Sequence, residues 1–113
     1  MILNRNIYYY YVSNLRFNNY EYDWKLTNIK KCSTKLEYGL DASAIDYDGV
    51  HKYIRITDID DSTNIFKDND LTSPNYFDEK YRLKEGDILF ARTGASVGKT
   101  YHYDINDGDL YFA

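Results

Sequence analysis

The spacing of hydrophobic and polar positions changes several times along the chain, and the changes mark its elements. Residues 52–59, KYIRITDI, alternate, with Ile54 and Ile56 on one face and Tyr53, Arg55 and Thr57 on the other. A period of two belongs to a half-buried strand, whose successive side chains point to opposite faces. Residues 87–92, DILFAR, are apolar on both faces, which predicts a strand lying centrally in a sheet. Residues 99–103, KTYHY, alternate again and should pair back as a hairpin across the glycine-bracketed loop TGASVG at 93–98. Asn106, Asp107 and Gly108 then turn the chain, and LYFA begins a further strand. That strand stops at Ala113 in mid-pattern, which predicts a domain cut before its last strands.

The remaining segments carry weaker patterns. IYYYYV at 7–12 has strand propensity, and the polar, Asn-rich residues 14–23 suit a loop. Leu26 and Ile29 sit three apart, the spacing of a short helical turn. Residues 38–51 hold two glycines and read as a loop with one short strand. Residues 61–80 are polar, contain Pro74, and leave room for at most a brief helix. The expected fold class is α+β and predominantly β: a twisted mixed or antiparallel sheet with hairpins and one or two short helices. Residues 1–23 form an N-terminal extension with one strand, and residues 24–113 form the domain proper. No internal repeat is visible.

Composition supports this picture. A chain of 113 residues is enough for one domain. Aromatic residues reach 18%, chiefly through 14 tyrosines, a residue that favours strands and packs with its hydroxyl kept wet. The formal charge of −4 argues against nonspecific nucleic-acid binding, which depends on neutralising phosphates. The charge is uneven, however. Residues 80–103 hold Lys80, Arg82, Lys84, Arg92 and Lys99 against Glu85 and Asp87, a net of +3, which leaves −7 elsewhere. Either this segment faces an anion or it is a solvated basic face. Cys32 is the only cysteine, so neither an intramolecular disulfide nor a cysteine-based zinc site can form. No apolar run approaches the roughly 20 residues that span a bilayer. The first residues lack the h-region and cleavage site of a signal peptide. The expected compartment is the cytoplasm, without membrane attachment.

Several chemistries can be weighed from the residues. TGASVGKT at 93–100 invites comparison with the phosphate-binding loop GxxxxGK[ST]. Gly94 and Gly98 are one residue too close for it, and the following KTYHYDINDG lacks the helix whose N-terminus would receive the phosphate. A plain hairpin explains the two glycines but leaves Arg92, Thr93, Ser96 and Lys99 unexplained. Such residues around a tight exposed loop are typical of phosphate and base-edge contacts. His51 and His102, with Asp48 and Asp104 nearby, lack zinc-ligand spacing. Asp58, Asp60 and Asp61 lack the glycine and terminal glutamate of a calcium loop and read as a solvated turn. No GxSxG elbow is present. Cys32 reads as a small packing residue.

YIRITDID at 53–60 followed by LKEGDILFARTGASVGKTYHY at 83–103 resembles the target-recognition domains of type I restriction-modification specificity subunits. In that family a strand ending in an R-x-T-D-I segment is followed by a variable stretch, then by GDIL, an arginine, TGA and VGK. Trp24 and Leu26 resemble the domain opening, and Tyr38-Gly39 resembles the lead into the first strand. The likeness covers about residues 24–113. Complete members carry two recognition domains joined by long helices that dock the methyltransferase subunits. Nothing here reads as such a helix, and residues 1–23 match nothing in the family.

The resemblance implies a module that reads half of a split sequence in double-stranded DNA, binds no cofactor and performs no catalysis. The partners it implies are a methyltransferase subunit, which methylates adenine with S-adenosylmethionine, and a restriction subunit, which cuts unmodified DNA. The residues expected at DNA are Arg92, Thr93, Ser96 and Lys99, with Gly94 and Gly98 allowing close backbone approach. Arg55 and Thr57 follow on the polar face of the other motif strand, where a solvent-facing sheet surface is the plain alternative. A segment shared by proteins that read different sequences suits phosphate positioning, so base readout is expected in stretches 40–51 and 61–80. The alternative function is a non-catalytic β-rich protein- or carbohydrate-interaction domain. An unfinished strand would also offer an edge for self-association.

Overall fold

The computed structural model describes residues 18, 19, 21 and 23–113. The strand expected at 7–12 and most of the loop at 14–23 lie outside the described residues. The chain divides between Glu37 and Tyr38 into two compact units. The expected domain opening at Trp24 therefore falls within the first.

In the first unit, α1 spans Ile29–Cys32. Asn28 caps it by accepting the Lys31 N–H at 3.0 Å, and the Ser33 hydroxyl closes the other end on the Ile29 carbonyl at 2.6 Å. No residue of this turn is buried. Cys32 is accordingly exposed, contrary to the packing role expected of it, because four residues of helix offer no buried face.

The second unit is a small mixed domain of short strands and 3₁₀ turns. Its strands are β1 (Ala44–Asp46), β2 (Lys52–Ile54), β3 (Thr72–Pro74), β4 (Ile88–Phe90), β5 (Thr100–His102) and β6 (Leu110–Phe112). Three separate two-stranded sheets replace the single sheet expected: β1 with β3 antiparallel, β2 with β6 parallel, and β4 with β5 antiparallel. β3 lies in the stretch expected to hold only a brief helix. Pro74 is tolerated because it sits at the end of the strand, opposite Ala44.

Two further expectations change. The alternation over 52–59 predicts one strand, but β2 stops at Ile54 and residues Ile56–Asp58 form a 3₁₀ turn. Tyr53 and Ile54 are both buried although they are neighbours, because β2 packs against a different cluster on each side. β4 is not central: it pairs only with β5, and Ile88 and Phe90 are 53% and 50% exposed. Its two apolar faces do not make it a buried strand. Leu89 alone packs on the core.

The larger cluster gathers Ile54, Ile59, Phe66, Leu83, Tyr101, Tyr103 and Leu110. The smaller holds Leu40, Tyr53 and Tyr111. The hydroxyls of the core tyrosines all find protein partners. Tyr53 donates to the Leu40 carbonyl at 2.8 Å, Tyr101 to Asp107 at 2.7 Å, Tyr103 to the Gly108 carbonyl at 2.9 Å and Tyr111 to Glu79 at 2.7 Å. Each buried ring thus fastens a loop while satisfying its own hydroxyl. Gly39 has a steric reason for its identity. A Cβ there would lie 2.0 Å from the carbonyl carbon and oxygen of Ala113, where Leu40 N–H bonds the Phe112 carbonyl at 2.8 Å.

Candidate nucleic-acid interface

The β4–β5 hairpin forms as expected, in the register Ile88↔His102, Leu89↔Tyr101 and Phe90↔Thr100. Tyr101 anchors it in the core. Its loop is closed by Ala91 N–H to the Lys99 carbonyl at 2.8 Å and Gly98 N–H to the Ala91 carbonyl at 2.9 Å. Gly94 and Gly98 have φ of 74° and 90°, a region that L side chains rarely adopt, and open space surrounds both.

The near side of this loop is open. Among the described residues, no partner engages the backbone N–H groups of Arg92, Thr93, Gly94, Ala95 and Ser96 or the hydroxyls of Thr93 and Ser96. The Val97 and Lys99 N–H groups instead bond within the loop, to the Gly94 and Ser96 carbonyls. Consecutive free amides around a positive-φ glycine are donors of the kind that receive anions. The Arg92 guanidinium lies 4.4 Å from the centre of the Tyr38 ring. That contact holds the cation against the ring, and Arg92 remains exposed.

Lys99 does not join this group. Its ammonium reaches the turn after β2, donating to the Ile56 carbonyl at 3.1 Å and to Asp61 Oδ1 at 2.7 Å. Its side chain is 11% exposed, and that of Asp61 is 93% exposed. The expected residues therefore divide in two. Arg92, Thr93, Gly94, Ser96 and Gly98 share the loop, and Lys99 belongs with the turn that carries Arg55 and Thr57.

Arg55 is not free on a polar sheet face. Asp58 accepts its backbone N–H at 2.8 Å, its Nε at 2.9 Å and its Nη2 at 2.8 Å. This carboxylate holds the guanidinium more firmly in its charged form. Asp58 is buried, so only part of the acidic run is a solvated turn. Asp60 accepts from both the backbone and hydroxyl of Ser62 and Thr63, which keeps its carboxyl well below the usual range. Arg55 and Thr57 line a cleft of about 170 Å³ with Asp58, Lys67, Asn69 and Asp70. Lys67 and Asn69 fall in the stretch 61–80, one of the two expected to read bases, though no local pattern singles them out. The Arg-x-x-Asp spacing at 55–58 was the available signal for the turn that builds this cleft.

His51 Nδ1 lies 2.6 Å from Asp48 Oδ2, and its ring stacks on Phe77 with centroids 4.0 Å apart. Among the described residues no cluster of His, Cys, Asp or Glu could hold a metal ion, and no helix is long and apolar enough to cross a membrane. No family model, no curated protein and no solved structure matches this chain.

Proposed function

We propose that this chain is a recognition module for double-stranded DNA, of the kind found in type I restriction-modification specificity subunits. The observation that carries the reading is the hairpin loop, which holds five free backbone N–H groups, two free hydroxyls and the exposed Arg92 within five consecutive residues. Phosphate oxygens accept from these donor types, and such contacts set register without reading sequence. The cleft at Arg55, Thr57, Lys67 and Asn69 offers both donors and acceptors to base edges. An asparagine or a cation there would discriminate bases by about 1–3 kcal/mol per good pair. In this reading the module performs no catalysis, binds no cofactor, works in the cytoplasm and directs a methyltransferase and a restriction subunit.

The test is anisotropy of a labelled mixed-sequence duplex titrated with the chain at several salt concentrations. Binding should weaken linearly on logarithmic axes. Arg92→Ala should weaken it for all sequences alike and reduce the salt slope by about 1. A folded chain with no salt-dependent duplex binding would sink the proposal. A second reading, a protein-interaction domain, is favoured by the exposed Ile88 and Phe90 on β4. Under it, Ile88→Ser with Phe90→Ser would abolish self-association or partner capture while Arg92→Ala would leave both unchanged.

A further inference from the structure

We infer that Asp61 occupies, in the DNA-free protein, the place of a phosphate oxygen at Lys99, and that duplex DNA displaces it. The inference rests on the DNA-recognition reading and adds a competitor built into the same surface. Lys99 is anchored from within: its ammonium bonds the Ile56 carbonyl at 3.1 Å, and little of its side chain meets solvent. Asp61 binds the same ammonium at 2.7 Å from a side chain that is almost wholly exposed. The two partners are thus unequal. The backbone carbonyl belongs to the 3₁₀ turn, whereas the carboxylate stands on the solvent side and can swing away.

A carboxylate and a phosphate oxygen offer the same charge-assisted acceptor to an ammonium. An ion pair with one partner this exposed is weak and readily exchanged. The exchange leaves Lys99 neutralised in both states, so it releases less salt than binding to a free cation. Asp61 would therefore weaken phosphate capture and flatten its salt dependence. It keeps Lys99 in position while no DNA is present.

The test uses the full chain and a labelled mixed-sequence duplex. Asp61→Asn should bind about two- to fivefold more tightly, the strength of one exposed ion pair, and steepen the salt slope by about 1. The gain should disappear in a Lys99→Gln background. Glu85→Gln, which removes a negative charge elsewhere in the basic segment, should not reproduce it. Because Lys99→Gln can impair folding, the Asp61 carboxyl ¹³C resonance supplies an independent measurement. It should move toward that of free aspartate as duplex is added to the wild-type chain. If the wild type binds duplex but Asp61→Asn behaves like Glu85→Gln, or the resonance stays fixed, the inference is wrong while the DNA reading stands. If neither chain binds duplex at low salt, the DNA reading fails and this inference fails with it.

Discussion

Asp58 holds Arg55 through three hydrogen bonds, one from the backbone N–H and two from the guanidinium, and so ends β2 and starts the turn that follows. Asp58→Ala would leave a half-buried guanidinium and a backbone N–H without their acceptor. The expected loss is about 2–3 kcal/mol, read as a lower denaturant midpoint with unchanged slope. Arg55→Lys should cost roughly half as much, since an ammonium cannot reproduce the paired geometry. Equal stability of Asp58→Ala and wild type would show that the turn is held by other contacts.

Acid should weaken the second unit in part through Asp48 and Asp60. Hydrogen bonds from His51 depress Asp48, and those from Ser62 and Thr63 depress Asp60, both far below the usual carboxylate range. The unfolded chain then binds protons first as the pH drops. Stability is present above the ordinary value of about 4 and declines as pH falls further toward the folded values. Asp60→Asn keeps an oxygen acceptor but removes the titration, so its stability should fall less steeply below about pH 4. Denaturant midpoints measured across that range check the difference in slope.

The alkaline limit should be set by the core tyrosines. Burial and the Glu79 carboxylate push Tyr111 up to about 12, and burial with Asp107 raises Tyr101 further. Their unfolded hydroxyls ionise near 10. Stability is therefore full below about pH 10 and is lost as pH rises through the folded values. Tyrosinate absorbance should show an early, gradual phase from exposed rings and a later phase coincident with loss of far-UV dichroism. One smooth phase centred near 10, with the fold intact, would contradict the burial of these hydroxyls.

Glycine substitutions should separate two kinds of constraint. Gly39→Ala places a methyl group against the Ala113 backbone and should cost about 2–3 kcal/mol, the usual range for overpacking. Gly94→Ala meets nothing and bears only the strain of its positive φ, about 1 kcal/mol. Thermal unfolding of both variants should rank them in that order.

The hairpin was legible from sequence because its signals are local: alternation in KTYHY and two glycines bracketing a short loop both act within about twenty residues. The same holds for the short helical turn near Ile29 and for the strand beginning at Leu110. What escaped depends on distant partners. Alternation through Ile56 and Thr57 looked like continuing strand, yet one carboxylate at Asp58 turned the backbone. Pro74 looked like a bar to strand structure, but Ala44 lay opposite to receive it. Lys99 reads as a phosphate contact of the loop, and no local pattern reveals that its ammonium meets Ile56 and Asp61, some forty residues earlier.

The parallel pairing of β2 with β6 also fixes an order in time. Ile54 lies opposite Phe112, and Leu110, wholly buried, belongs to the main cluster. Neither cluster can close fully until β6 has docked, because Leu110 belongs to one and Tyr111 to the other, whereas β4 and β5 need only each other to meet. Hairpins close in about 1–10 μs, while pairing across long loops is slow. The hairpin therefore assembles first as a marginal ribbon, and the docking of β6 on β2 turns it into a lasting structure.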